Sequence, residues 1–194
     1  MLGRVFEKLG EAAARRAARL DVRDREGGER WLRMAAALAP RFTHVHRDAV
    51  AARRRAGDRL GAAVLAQRFV QRFNTSAEAW MLLGEACVGA FRPNDALQAY
   101  ERVLQIEERA DAAMAAGGLY AQRGDHVNAG ARYARAFAAG GGPEALKGNA
   151  KALKAAGDRS AAEQAIALWK QVTGREWTEA GPPVTPHRSA RPPP

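Results

Sequence analysis

Apolar residues recur along most of the chain at the spacing of an amphipathic helix. One such set lies at i, i+3, i+4 and i+7 and consists of Trp80, Leu83, Gly84 and Cys87. This spacing places all four on the same face of a helix. Runs that alternate β-branched and polar residues, which would indicate strands, do not stand out. The pattern therefore predicts an all-α protein.

The helical pattern repeats with a period of 33 or 34 residues. One alanine recurs at spacings of 34, 33 and 33, as Ala62, Ala96, Ala129 and Ala162. A Gly-Asp pair precedes three of these alanines, at Gly57-Asp58, Gly124-Asp125 and Gly157-Asp158. Because glycine tolerates the backbone angles of a tight turn, each pair predicts a turn between two helices. The period therefore indicates a stack of helix-turn-helix repeats.

The second repeat resembles the signature of the tetratricopeptide repeat (TPR) family. Its matching residues are Trp80-x2-Leu83-Gly84-x2-Cys87 followed by Ala96-x3-Tyr100, with Cys87 where the family prefers Tyr. The resemblance implies a right-handed α-solenoid of about four TPR-like repeats with an N-terminal helical cap. The implied divisions are a cap or degenerate repeat at 1–42, repeats at 43–76, 77–109, 110–142 and 143–175 (together 43–175), and a tail at 176–194.

The two ends of the chain have patterns of their own. Residues 4–20 predict a helix with an alanine-rich side and an arginine-rich side, which either caps the stack or lies on an anionic membrane surface. The alanine stripe would bury little in a bilayer, which favours the cap. A second helix is predicted from Glu29 to Leu38, after the break DVRDREGG. The proline-rich segment after Thr178 predicts a disordered tail, and we expect Trp177 to fold back on the last repeat.

Composition adds a positive charge that is concentrated towards the ends. The 194 residues include 31 Lys and Arg against 21 Asp and Glu, a formal net charge of +10. Residues 1–60 hold 15 basic against 8 acidic side chains, whereas residues 77–142 hold 6 against 8. No stretch approaches the roughly 20 apolar residues of a membrane span, and the N-terminus lacks the apolar core of a signal peptide. We therefore expect a cytoplasmic protein.

Few residues suggest catalysis or metal binding. Cys87 lies on an apolar helix face, where we expect a small core residue. His44 and His46 invite a metal interpretation, but residues two apart point to different sides of a helix, and we expect both at the surface. The sequence contains no phosphate-binding glycine loop, metal constellation or Ser/His/Asp set. We therefore expect no enzymatic activity and no cofactor.

The TPR resemblance also implies a binding groove. In the family, the first helix of each repeat lines the concave face, and the family positions here give an apolar centre between two basic ends. The implied peptide-binding residues are Met81, Leu82, Glu85, Val88, Met114, Ala115, Ala121 and Gln122. The implied basic groove ends are Arg47, Arg54, Arg55, Lys147, Lys151 and Lys154.

Such a groove suits a peptide or amphipathic helix of another protein, with acidic flanks facing the basic ends. The expected role is an adaptor or chaperone. One alternative is binding of nucleic acid or another anionic surface through the basic ends. Against nucleic acid, no aromatic residue interleaves with the arginine run to stack on bases. Two further alternatives stay open: self-association through an uncovered repeat face, and a groove occupied by the chain's own termini.

Overall fold

The computed structural model describes residues 5, 8–10, 12–13, 16, 25–38 and 44–178. Within these residues the chain is helical and has no strand. In chain order the helices are α1 (Arg25–Leu38), α2 (His44–Arg55), α3 (Arg59–Arg72), α4 (Ala77–Gly89), α5 (Pro93–Ile106), α6 (Ala110–Gln122), α7 (His126–Ala138), α8 (Gly142–Ala155) and α9 (Arg159–Thr173). Each helix packs against the next along the chain, as in an α-solenoid of helical repeats. The predicted all-α solenoid is confirmed.

Glycine allows three of the four turns that join a first helix to its second helix. Gly57, Gly124 and Gly157 have φ angles of 84°, 76° and 86°, a region that side chains disfavour. The residue after each glycine is an aspartate whose carboxylate accepts a hydrogen bond from a backbone N–H in the first turn of the next helix. The fourth turn, between α4 and α5, has Phe91 at φ 57° instead.

Small residues allow the two helices of a pair to approach closely. A Cβ atom added at Gly84 in α4 would lie only 2.5 Å from Cε1 of Tyr100 in α5. Tyr100 is 3% exposed, and its burial raises the pKa of its hydroxyl to about 12. The equivalent contact in the next pair joins Gly117 and Tyr133, with a distance of 3.1 Å. An aromatic ring packed on a glycine backbone therefore sets the spacing of the central helix pairs.

The N-terminal end differs from the prediction in one boundary. α1 begins at Arg25 rather than Glu29, so two glycines of the predicted break lie within the helix. Each glycine disfavours a helix by about 1 kcal/mol, and tertiary packing of a long helix outweighs such a preference. In α1 this packing involves Ala35 and Ala36, which are 1% and 0% exposed.

Part of the predicted helix at 4–20 lies among the described residues, and these are helical. Ala13 is 2% exposed and belongs to the hydrophobic core cluster. The Arg16 guanidinium lies 5.8 Å from the ring centroid of Trp31 in α1. These contacts favour the cap over the membrane-surface interpretation, although Val5 and Leu9 are exposed. The other residues of the predicted helix lie outside the described part of the chain.

The predicted surface position of His46 is wrong. His46 is 0% exposed, and its ring makes edge contacts with Phe69 and Phe73 at centroid distances of 4.7 and 5.0 Å. His44 is exposed, as predicted. Because α2 already includes His44, His46 falls on the inward face that Val50, four residues later, also occupies.

At the other end, Trp177 folds back on the last helix, as predicted. Its ring makes an edge contact with Trp169 of α9 at a centroid distance of 5.4 Å. Trp169 is 8% exposed, so the pair covers apolar surface where no further repeat follows among the described residues. The predicted disordered tail at 176–194 stays a prediction, because all of it except residues 176–178 lies outside the described part of the chain.

Candidate functional site

One position of the first helices forms a row along the stack, which we call the methionine row. Its members are 34, 33 and 33 residues apart in sequence: Arg47 on α2, Met81 on α4, Met114 on α6 and Lys147 on α8. Arg47 is exposed, and the other three are half-buried. Met81 and Met114 pack with part of their surface on the core cluster. The row therefore offers two adaptable apolar side chains between two cations.

The other residues predicted for the apolar centre divide by exposure. Val88 is 46% exposed; Glu85 and Gln122 are exposed, and Ala115 and Ala121 are half-buried. Leu82 is 5% exposed and belongs to the core, so its predicted role in contacting a peptide is wrong. It follows Met81 by one residue, which turns its side chain by about 100° around the helix, towards the interior.

Acidic residues accompany the cations where the first helices begin. The pKa of Glu78 in α4 is lowered by hydrogen bonds from the backbone and from the Ser76 hydroxyl, with smaller contributions from Arg109 and Arg47. The pKa of Asp111 in α6 is lowered mainly by the Arg109 side chain, whose Nε donates to Oδ1 over 2.9 Å. The positive charge of Arg47 is thus partly balanced by the Glu78 carboxylate.

The C-terminal ends of α2 and α4 form an open cleft of about 580 Å³, which we call the arginine cleft. Its lining residues are Ala51, Arg54, Arg55, Arg59, Val88, Gly89 and Phe91. It joins two residues predicted as a basic end, Arg54 and Arg55, to Val88 from the predicted apolar centre. Phe91 is 80% exposed, and the Arg59 guanidinium lies 5.3 Å from its ring centroid. None of these lining residues is acidic.

Sequence reasoning missed Arg59 and Phe91. The spacing of the turns carried the signal for Phe91, since it stands 34 residues after Gly57 and 33 before Gly124. A large residue at a glycine position of a repeat is a visible exception. The structure also places an aromatic ring beside the arginines, which the sequence argument against nucleic acid had taken to be missing.

The opposite basic end forms a separate cleft of about 390 Å³ at the last helix pair. It is lined by Ala150, Lys151, Lys154, Ala155, Ile166 and Trp177. Two of the predicted cations, Lys151 and Lys154, therefore meet here beside an aromatic ring. Lys147 belongs to the methionine row and not to this lining.

Three observations bear on other kinds of function. Within the described ranges, no group of three or more His, Cys, Asp or Glu residues could hold a metal ion. Cys87 is 2% exposed, and burial raises the pKa of its thiol, so the predicted core role of this cysteine is confirmed. Over the same part of the chain, no helix has the length and apolar character needed to cross a bilayer.

Solved structures with the same fold include several TPR proteins. No protein-family profile and no curated protein matches the chain. A crystal structure of MamA shares 22% identity over 80% of this chain and 92% of its own, with a TM-score of 0.65. YrrB, described as a TPR protein with an unusual peptide-binding site, shares 15% identity over 84% and 85%, with a TM-score of 0.63. The thermophilic TPR protein TTC0263 of Thermus thermophilus shares 17% over 86% and 92%, with a TM-score of 0.54.

These identities are low, so the similarity establishes the architecture. The fold is that of the tetratricopeptide-repeat solenoids. The resemblance that the second repeat shows in its sequence is therefore confirmed at the level of structure.

Proposed function

We propose that this chain is a non-catalytic protein-interaction scaffold, an adaptor or chaperone that holds a peptide or amphipathic helix of a partner protein. The proposed binding surface is the face of the first helices, which in a superhelical stack of helix pairs is the concave side. In this proposal the four repeats begin at residues 43, 77, 110 and 143, as the sequence predicts.

The observation that carries the proposal is the methionine row. Met81 and Met114 are adjacent members of the row, and both are packed on the core but partly open to solvent. Methionine side chains adapt to partners of different shape, and an amphipathic helix presents apolar side chains at i, i+3, i+4 and i+7. The half-exposed pair therefore suits the apolar side of such a ligand.

The two ends of the methionine row indicate where the ligand should carry acidic residues. Arg47 and Lys147 flank the two methionines, so acidic residues on either side of an apolar segment would face cations. Charges of this kind mainly speed the encounter and fix the orientation of the ligand. Because a flexible ligand loses conformational freedom on binding, we expect dissociation constants of roughly micromolar size.

The test compares protein capture by three baits from the same native lysate. The groove variant carries Met81→Asp and Met114→Asp, and a matched control carries Val64→Asp and Val127→Asp, two exposed valines on second helices. Circular dichroism establishes that all three baits are equally helical. The proposal expects a protein that the wild type and the control recover and the groove variant loses. If the groove variant recovers the same set as the wild type, binding does not use the methionine row.

A further inference from the structure

We propose that the arginine cleft is a binding subsite for an acidic residue beside a large apolar residue in the partner segment. Phe91 is the apolar anchor of this subsite, and Arg54 and Arg59 supply its positive charge. The inference rests on the proposed function, because it extends the surface of the first helices to one end of the bound peptide.

Phe91 has a left-handed backbone conformation, which is unusual for a residue with a bulky side chain. The equivalent position in the other three turns is a glycine at φ between 76° and 86°, whereas Phe91 adopts φ 57° with a full aromatic side chain. A bulky residue in this region is strained, and such strain is concentrated at functional sites. The ring is not held there by core packing, since Phe91 is 80% exposed.

The second observation is the position of the ring. Phe91 lies at the edge of a cleft of about 580 Å³ that also contains the exposed Val88. Val88 follows Met81 by seven residues in α4, which places both near the same face of the helix. The cleft therefore lies on the same helix face as Met81, beyond the exposed Glu85, and a peptide lying on the methionine row could extend into it.

The third observation is the charge. Arg54, Arg55 and Arg59 line the cleft without an acidic residue among its lining. The carboxylate of Asp58, next to Arg59, is engaged elsewhere, since it accepts from Arg53 over 2.8 Å and from the Gly61 N–H over 2.7 Å. Guanidinium groups pair well with carboxylates, often through two parallel hydrogen bonds. Charge complementarity thus selects a ligand with at least one carboxylate.

A short acidic segment fits these residues better than the other occupants. A nucleic acid strand needs a basic track for successive phosphates, but beyond the cleft the first helices present the carboxylates of Glu85, Glu78 and Asp111. The chain's own tail is a poor match, because residues 179–194 contain two arginines and one acidic residue, Glu179, whose neighbours Thr178 and Ala180 are not large apolar residues. The proposed occupant is therefore a partner peptide with Asp or Glu next to Phe, Leu or Met.

The test uses fluorescence anisotropy with three labelled probes. They are a peptide of about ten residues with alternating Glu and Phe or Leu, its counterpart with Gln in place of Glu, and an oligothymidine of about 15 nucleotides. We expect the wild type to bind the acidic peptide about tenfold more tightly than the Gln peptide. Phe91→Gly and Arg54→Gln should each weaken binding of the acidic peptide by about fivefold or more. Val127→Ala, which trims an exposed apolar side chain on α7, is the matched control and should change nothing.

Phe91→Gly should preserve the fold, because glycine adopts the positive φ angle at this position without strain. Loss of binding by this variant would therefore not reflect loss of the fold. Equal affinity for the two peptides, unchanged affinity in Phe91→Gly, or no acidic-peptide binding up to about 1 mM would overturn the proposal. Tighter binding of oligothymidine than of the acidic peptide would overturn the proposed occupant. The Met81→Asp, Met114→Asp bait separates the two proposals. If this bait loses a partner protein that a Phe91→Gly bait retains, the methionine row binds the partner and the proposed subsite is wrong. If it retains a partner that the Phe91→Gly bait loses, the arginine cleft binds the partner and the proposed role of the methionine row is wrong.

Discussion

Arg132 and Glu101 form a two-pronged ion pair across the junction between successive helix pairs. Arg132 on α7 donates from Nε and from a terminal guanidinium nitrogen to the two carboxylate oxygens of Glu101 on α5, over 2.6 and 2.9 Å. The guanidinium also lies 5.8 Å from the ring centroid of Tyr120. This pair joins second helices of neighbouring repeats, and the equivalent position of the following repeat is Ala165. The contact is therefore specific to the junction at the centre of the stack.

Arg132→Ala should destabilise the protein by about 1 kcal/mol. The side chains of Arg132 and Glu101 are 24% and 23% exposed, so the pair should reach the upper end of the range of about 0–1 kcal/mol that surface ion pairs contribute. Urea unfolding followed by circular dichroism measures the change. The control is Arg102→Ala, an exposed arginine on α5 that bonds to Gln105 of the same helix, for which the change should stay below about 0.5 kcal/mol. Equal effects of the two substitutions would show that the junction does not depend on the pair.

Gly84→Ala should destabilise the protein by about 1–3 kcal/mol, because the added methyl group meets a buried ring that has no room to move. The new Cβ would lie 2.5 Å from Tyr100. The matched control is Gly118→Ala on α6, whose new Cβ would lie 3.7 Å from the Tyr133 hydroxyl, an ordinary contact distance. There the higher helix propensity of alanine should stabilise the protein by about 0.5–1 kcal/mol. Thermal or urea unfolding of both variants should give changes of opposite sign, and changes of the same sign would contradict the packing argument.

Phe91→Gly should raise the free energy of unfolding by up to about 1.5 kcal/mol. Relief of the left-handed backbone should stabilise the protein by about 1–2 kcal/mol, and loss of the contact with Arg59 should destabilise it by about 0.5–1 kcal/mol. The reciprocal variant is Gly124→Ala, at φ 76° with no atom within 4 Å of the new Cβ, so its expected loss of about 1 kcal/mol reflects the backbone alone. Urea unfolding of both variants measures these changes. A destabilised Phe91→Gly would mean that the ring contributes more to the fold than its exposure indicates.

The fold could be predicted from the sequence because small residues that helix packing and tight turns need recur at its period. The alanine at position 96 recurs in all four repeats, Gly84 recurs as Gly117, and the turn glycine before an Asp cap recurs in three of the four repeats. These requirements are local to one helix pair. They identify the solenoid even where single positions depart from the TPR signature, as at Cys87.

The surface could be predicted only in part. Whether Leu82 or its neighbour Met81 faces outwards depends on a rotation of α4 of about 100°, which a shared apolar pattern does not fix. His46 is buried because the face it shares with Val50 packs against the next helix. The pairing of Arg59 with Phe91 joins two turns 32 residues apart in sequence, and only the stacking of repeats brings them together.

Among the described residues, four carboxyl groups have pKa values that are lowered in the fold, and acid should destabilise the protein through them: Glu78, Glu108, Asp111 and Asp125. For Asp125 the cause is hydrogen bonding from the side chain and then the backbone N–H of Asn128. The unfolded chain binds protons at the ordinary carboxyl pKa of about 4, and the folded chain only at lower pH. The stability that these groups contribute is therefore complete above that value and is lost as the pH falls through their folded pKa values.

Asp125→Asn isolates one of these contributions. Asparagine accepts the capping hydrogen bond about as well as aspartate but does not titrate, so stability at neutral pH should change little. Urea unfolding between about pH 6 and pH 3 should then give a shallower fall in stability for this variant than for the wild type. Asp125→Ala is the control, because it removes the cap and should be less stable at every pH. If Asp125→Asn shows the same slope as the wild type, protonation of Asp125 is not part of the acid response, and the slope must come from Arg-paired groups such as Asp111.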